Sequence, residues 1–553
     1  MTSLPAQTSK SSGKLAIAFW CAVVVLWIAP LGLRALIHPD EGRYAELSLH
    51  ILQSGDWVTP RLNGILYFEK PAFQYWIGAI SMLLFGINEF AARLWPGLSG
   101  ILTVLAVGMT ARRLWNPESG AYAAMAATGT TWIILNSHFL TLDAGATFFL
   151  TLTLCGFLLA QRTNASAAER RVCMLLAWAA AGGAVLSKGL IGLVIPGATL
   201  VIYTLVTRHW GLWRRMHWLS GIALMLLLVA PWFWLVAQRN PGFVQFFFVH
   251  EHFQRFLTTE HRRGGPIWYF LPFLFAGSIP WTSLLPAVLR HRPAMQAGDG
   301  MNARIFILCW TGFVFFFFSL SGSKLPSYIL PMFPALALLL GNYLAQADAR
   351  KLRWHLLLPA AIALGALAYS PFMGRHATPQ SPEEAYLELA AYIATGSAMF
   401  IILALLAWWQ LGLGQRRRGI MAVTLGSLLA FTVVMWGHDA YGRIKSSKDV
   451  VAAIADKITS ATTIYSVRHY DQTFPFYLRR AVILVDYQDE FQFGQRQEPD
   501  KWIPTLDAFV GRWNSGKPAI AMMTDHTYRE LLAKGLRMKI IYQDPRKLVV
   551  QSE

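Results

Sequence analysis

Long apolar runs separated by short polar intervals set the organisation of this chain. A helix needs roughly twenty apolar residues to cross a hydrocarbon core. Thirteen runs meet that need, at approximately 15–37, 93–113, 119–136, 141–161, 172–187, 189–207, 217–237, 267–289, 303–320, 326–345, 354–371, 387–409 and 419–437. A further stretch, 71–87, begins at Pro71, contains two glycines and Gln74, and sits at the lower limit for a span. Charge decides its placement. With 71–87 taken as a juxtamembrane or re-entrant helix, the basic clusters all fall on one side, as cytoplasmic loops require. These are Arg112–Arg113, Arg162/Arg170/Arg171, Arg208/Arg214/Arg215, Arg290/Arg292/Arg304, Arg350/Lys351/Arg353 and Arg416–Arg418. Counting 71–87 as a span reverses all six.

The first run follows Lys10 and Lys14, as a signal peptide would. It is longer than a signal core and lacks a small-x-small cleavage site, so a retained first helix with an inside N-terminus is expected. The long loop 38–92, the turns 137–143 and 321–327, the loop 238–266 and the tail 438–553 then face outward. In the tail, a helix-like stretch at 447–458 accompanies β-like runs at 463–467, 481–485, 519–523, 539–542 and 548–551. The expected architecture is thus a polytopic α-helical membrane domain, 1–437, of about thirteen transmembrane helices, followed by a small soluble α/β domain, 438–553.

Composition agrees with this picture: 55% of the 553 residues are hydrophobic. The net charge of +18 invites a nucleic-acid reading, but the excess lies in the loop clusters of the membrane part, which argues against nucleic acid as a partner. Cys21, Cys155, Cys173 and Cys309 lie in or beside apolar runs, which excludes a disulfide framework or a cysteine metal site.

Candidate chemistry gathers at the outward ends of the helices. Asp40 and Glu41 follow the first span behind Pro39, and Asp143 opens the fourth; helix capping is the competing reading for each. Glu69–Lys70–Pro71 precedes the juxtamembrane helix. Either it is an interfacial anchor, or Lys70 binds a phosphate and Glu69 offers a metal ligand. In His250-Glu251-His252-Phe253-Gln254-Arg255 the histidines are spaced i, i+2 and face apart, so they make no zinc site alone. His250 with Glu69 from another loop completes the tentative zinc alternative. Arg255 offers planar bidentate donors for phosphate. Lys324 either snorkels or joins this basic rim with Tyr328. Walker, GxSxG, HExxH and contextual GxGxxG motifs are absent, so no nucleotide cofactor is expected.

The stretch HPDEGRYAELSLHILQSGDWVTPRLNGILYFEKP resembles the first outer loop of the lipid A 4-amino-4-deoxy-L-arabinose transferases, GT-C enzymes related to the protein O-mannosyltransferases. VHEHFQRF, PIWYFLPFLFAGSIPW and SGSKLPSYIL are similar to motifs of the same family. After EKP the chain has Ala72-Phe73 where many relatives carry another proline, which bears on helix entry. In the C-terminal domain no motif of the family is recognised from the sequence.

The resemblance implies a GT-C fold in a bacterial inner membrane, with active site and C-terminal domain facing the periplasm. It implies an undecaprenyl-phosphate aminoarabinose donor, a lipid A phosphate acceptor, and polymyxin resistance as the outcome. Asp40, Glu41, Asp143 and Lys70 are then the expected catalytic residues. Arg43, Tyr67, Lys70, Arg255, Lys324 and Tyr328 are expected around the substrate and carrier phosphate. The alternatives are a GT-C enzyme with another polyprenyl-phosphate sugar or a protein acceptor, and a lipid transporter or flippase. A transporter predicts ionisable residues deep inside spans and repeat symmetry, which the sequence lacks.

Overall fold

The computed structural model describes residues 6–254, 264–292 and 301–553. Ten of its helices are long and apolar enough to cross a membrane. The helices needed below are α1 (Ala6–Ile28), α2 (Asp40–Ser54), α3 (Phe73–Phe85), α4 (Glu89–Leu114), α5 (Pro117–Gly129), α6 (Thr131–His138), α7 (Asp143–Ala160), α8 (Ala167–Lys188), α9 (Ile191–Thr207) and α10 (Trp218–Arg239). Caps mark several entries. Asn88, Asn116 and Ser166 each accept a hydrogen bond from the backbone N–H three residues on, satisfying a donor that the first turn leaves orphaned. At 13 residues, α3 is about 20 Å long, too short to span.

Three expected spans depart from the simple picture. The run 189–207 yields the 17-residue α9, just short of the usual length. The run 119–136 divides into α5 and α6 at Gly129–Thr130. The run 267–289 is broken between Phe270–Gly277 and Thr282–Arg290, which meet at 106°. Pro280 lies in that break and cannot donate the hydrogen bond that would continue the helix. The two interruptions satisfy each other. Thr131 donates its backbone N–H and its hydroxyl to the Ile279 carbonyl at 3.0 and 2.9 Å, and the Trp281 indole donates to Ala126 O at 3.0 Å. Ser427 adds a bond to Gly129 O at 2.7 Å. Irregular backbone survives at membrane depth because protein groups replace the missing partners.

The chain end forms a six-stranded sheet, β3 (Thr463–Val467), β4 (Ile483–Val485), β5 (Trp502–Ile503), β6 (Ala519–Met523), β7 (Met538–Gln543) and β8 (Leu548–Ser552), after a two-stranded hairpin β1–β2 (Arg61–Leu62, Ile65–Leu66) in the first loop. The sheet order is β5-β4-β3-β6-β8-β7, parallel from β5 to β6 and antiparallel thereafter. All five residues of β6 are buried, as a central strand covered on both faces requires.

This sheet is not a loose appendage. One apolar core runs from Leu36 and, in the first loop, Tyr44 and Phe68 to Val450, Phe474, Leu484 and Ile520 of the tail. Polar ties reinforce it. Asn63 exchanges two hydrogen bonds with the Val482 backbone, at 2.7 and 2.8 Å, and Arg61 pairs with Glu498 at 2.7 Å. Lys547 pairs with Asp471 at 2.6 Å, both nearly inaccessible. Gly42 of α2 approaches the tail so closely that a Cβ would lie 2.5 Å from the backbone at Gln472–Thr473.

Candidate active site

The site is built around a buried ionic node. Glu41, in the first turn of α2, takes Arg93 Nε and Nη2 at 2.7 Å each. The remaining capacity of its carboxylate accepts from the backbone N–H of Leu140 at 3.0 Å and of Ile37 at 3.2 Å. Arg34 adds a second cation at 3.8 Å. Burial by itself raises the Glu41 carboxyl, but the two guanidiniums outweigh it and hold the group low, at about 2. Glu41 is therefore fully occupied. Its lone pairs are engaged by protein groups, the pattern of a residue that holds the site in shape rather than one that meets substrate.

Glu41 ties together two acidic turns. Asp40 is its neighbour, and Asp143 lies three residues, at most about 11 Å of chain, beyond Leu140. Two residues remote in sequence are thus tied to one carboxylate. Asp40 itself pairs with Arg43 at 2.8 Å while its side chain stays 45% exposed. Arg43 reaches across to an ion pair with Glu490 of the C-terminal domain. Burial raises the Glu490 carboxyl, and Arg43 opposes that shift.

Buried polar atoms crowd this end of α2. Arg43 Nε, the hydroxyls of Tyr67 and Tyr75, and both side-chain amide atoms of Gln74 have no hydrogen-bond partner among the described residues. Native interiors rarely leave such groups unpaired, so a cluster of them marks a place for a polar ligand. Burial pushes the Tyr67 and Tyr44 hydroxyls well above their usual range, so both are neutral donors near neutral pH. The nearby Glu69 carboxylate acts on both in the same direction.

Lys70 lies beside this cluster. Its ammonium donates to Glu69 O at 2.7 Å and to Glu251 at 3.1 Å, which ties the first loop to the π-helical segment Gln245–Gln254. Glu251 was not singled out from the sequence. His250 lies 3.6 Å from the same Glu251 carboxylate and stacks on Phe246. Among the described residues no three His, Cys, Asp or Glu side chains converge as metal ligands. Among the described residues Glu69 and His250 are joined by no third protein ligand such as a zinc site requires, so a zinc is unsupported and the mechanism is derived without a metal. Arg255 lies outside the described residues.

On the other side, Asp143 opens α7 and forms an ion pair with Lys188, the last residue of α8. The Lys188 ammonium lies 4.7 Å from the centre of the Tyr328 ring. Sequence reasoning missed Lys188. Phe73, three residues after Lys70, packs on Phe149, six after Asp143, at 5.2 Å between ring centres, which holds α3 against α7. Lys324 is 7% exposed and donates to Ser321 O at 2.7 Å, which places it in the turn beside Tyr328. The arrangement offers cations and neutral hydroxyls to an anionic headgroup, with Asp40 open at its edge.

Comparison with known proteins places this geometry. Residues 14–247 match the dolichyl-phosphate-mannose-protein mannosyltransferase family, and residues 450–552 match the aminoarabinose transferase C-terminal domain. A Pseudomonas aeruginosa undecaprenyl phosphate-alpha-4-amino-4-deoxy-L-arabinose arabinosyl transferase is 32% identical over 515 residues, 89% of each chain. The Erwinia tasmaniensis protein of that name is 36% identical over 337 residues, 60% of this chain, and the match spans 59% of the relative's length. The crystal structure of ArnT from Cupriavidus metallidurans bound to undecaprenyl phosphate superposes with a TM-score of 0.93 at 38% identity, covering 97% of this chain and 98% of that one. The chain belongs to the family of undecaprenyl phosphate-alpha-4-amino-4-deoxy-L-arabinose arabinosyl transferases.

Proposed function

We propose that this protein transfers 4-amino-4-deoxy-L-arabinose from undecaprenyl phosphate to a phosphate of lipid A, at the periplasmic face of a bacterial inner membrane. The observation that carries this reading is the likeness, over nearly the whole chain, to a structure that holds undecaprenyl phosphate. In the transfer, the bond from the sugar's C1 to the carrier phosphate breaks. A new C1–oxygen bond to the acceptor phosphate forms, and the carrier phosphate leaves with the electron pair. Charge grows on the leaving phosphate in the transition state, so cations fixed in advance at that oxygen lower the barrier.

Lys70 and Arg255 are the groups we assign to that phosphate, with the Tyr67 hydroxyl as a neutral donor. The Lys188–Asp143 pair sets a third cation against Tyr328. The acceptor phosphate is already anionic near neutral pH, so no strong general base is needed. Asp40, paired to Arg43 and still half open, is placed to orient the sugar's cationic amine or the acceptor. Lys324 shapes the turn that carries Tyr328.

The test is expression in a Gram-negative cell lacking this activity, followed by mass spectrometry of its lipid A. The expected result is a mass increment of one aminoarabinose, together with higher polymyxin tolerance. Unmodified lipid A from cells holding folded protein would redirect the reading to another donor or acceptor.

A further inference from the structure

An apolar cavity lies toward the end of α8 remote from Lys188. Arg170 stands in the first turns of α8 and Lys188 ends it, so about 27 Å of helix separates them. There α7, α8, α9 and α10 leave a cavity of about 160 Å³. Leu154, Phe157, Trp178, Pro196, Leu200 and Trp213 are among its lining residues, and its walls are almost entirely apolar.

Its mouth is framed by three fixed indoles. Trp213 and Trp218 stack at 5.9 Å with 7° between ring planes, and Trp178 meets Trp218 edge-on at 5.4 Å. Each ring is held by its N–H: Trp178 to Met216 O at 2.9 Å, Trp213 to the Thr204 hydroxyl at 3.0 Å, and Trp218 to Trp213 O at 2.9 Å. Gly221 lets the Trp178 ring lie on the α10 backbone, where a Cβ would come within 2.1 Å of it. Tryptophans so placed mark headgroup depth.

Beside the indoles, Arg215 immediately precedes Met216, whose carbonyl holds Trp178, and Arg170 lies one helical turn before Met174, which lines the cavity. The charge of Arg215 acts on Arg170 as a second influence after desolvation. No carboxylate pairs with either among the described residues. The nearest acid in the chain, Glu169, is taken by Arg113 at 3.0 Å and by Arg162. Two guanidiniums without a carboxylate partner among the described residues, at the mouth of an apolar slot, are complementary to a phosphate that carries an acyl chain. We propose that this groove binds an anionic glycerophospholipid of the leaflet opposite the catalytic face. One acyl chain fills the cavity and the phosphate bridges Arg170 and Arg215. The polyprenyl carrier is not the occupant, because its phosphate belongs with Lys70 at the other face.

The test is native mass spectrometry of the full-length protein with phosphatidylglycerol or phosphatidylcholine of identical chains. Retention of phosphatidylglycerol should exceed that of phosphatidylcholine by roughly tenfold or more, as expected for two arginines acting at a lipid surface. Arg170→Gln with Arg215→Gln should bring that preference below about twofold. Leu200→Trp, which fills the cavity, should lower retention of both lipids. Equal retention by the natural protein overturns the proposal without recourse to any variant. So does unchanged preference in the doubly substituted protein, or displacement of phosphatidylglycerol by undecaprenyl phosphate.

Discussion

At the scale of single residues, the site works by contrast between charges that are consumed and charges that are shared. Glu41 is consumed. Replacing it with Gln keeps the shape but leaves Arg93 and Arg34 buried without their counterion, a loss on the order of 3–5 kcal/mol. Glu41→Gln should therefore lower the thermal midpoint of the detergent-solubilised protein sharply, whether or not substrate is bound. Lys70 is shared, pairing with the buried Glu251 while, in the proposed mechanism, it faces the carrier phosphate. Lys70→Ala should cut transfer by about 100-fold or more, as loss of a transition-state charge partner does. It should also lower the thermal midpoint, because Glu251 loses its cation, and the transfer loss should persist well below both midpoints. Near-normal turnover by that variant would remove Lys70 from the mechanism. Glu46 is a third case. It is buried, accepts one hydrogen bond from Asn63 N at 3.0 Å, and burial lifts its carboxyl to about 8. Its folded state holds a proton that the unfolded chain releases above the ordinary carboxylate range. Stability from this group is therefore full below about pH 4.5, falls as pH rises, and levels off above about 8. Glu46→Gln should flatten that decline and raise the midpoint at pH 8 by several degrees, as differential scanning fluorimetry from pH 5 to 8 can measure.

At the scale of elements, what could be read from the sequence depended on whether a signal was local. Strands β3, β6 and β8 each carry at least five residues of β-forming character and match the expected runs. The two-residue β5 has no period to detect. The break at Pro280 left a signal that went unused, a proline inside the run 267–289 taken as one span; its counterpart at Gly129–Thr130 left none, since the partner that permits it lies some 150 positions away. Lys188 and Arg93 carried a signal that went unused: both are cations at helix ends facing away from the arginine-rich side, where the positive-inside pattern expects few. The docking of the tail was invisible for a different reason. Arg43 and Glu490 are separated by 447 positions, and each reads alone as an ordinary surface charge. That docking gives the α2 glycine its meaning. Gly42→Ala puts a methyl against the backbone at Gln472–Thr473, where no side chain can swing aside. We expect the substitution to loosen the C-terminal sheet from the first loop and speed proteolytic release of the tail. Transfer should fall with it, because Arg43 loses Glu490. A tail as protease-resistant as in the natural protein would show that the interface yields at no cost.

At the scale of the whole molecule, everything turns on two faces of one bundle. The 22 residues of α8 make a helix about 33 Å long, with Arg170 and Arg171 near one end and Lys188 at the other. Lys188 meets Asp143, and through Leu140 and Glu41 the same face holds Asp40 and the sheet that follows Ser447. Arg417, which follows a cap between two long apolar helices, belongs with Arg171 on the far side. A single labelling experiment checks this arrangement. The four native cysteines are replaced, and single cysteines are placed at exposed Ser54, Lys448, Arg171 and Arg417. In spheroplasts a membrane-impermeant maleimide should label Ser54→Cys and Lys448→Cys. It should reach Arg171→Cys and Arg417→Cys only after the membrane is permeabilised. If Ser54→Cys and Lys448→Cys label on opposite sides, the ion pair between Arg43 and Glu490 cannot exist. A shared site built from the first loop and the tail would be impossible in that case. If all four label together, the arginine clusters do not mark a separate face, and neither the catalytic rim nor the opposing lipid groove retains a membrane surface to act on.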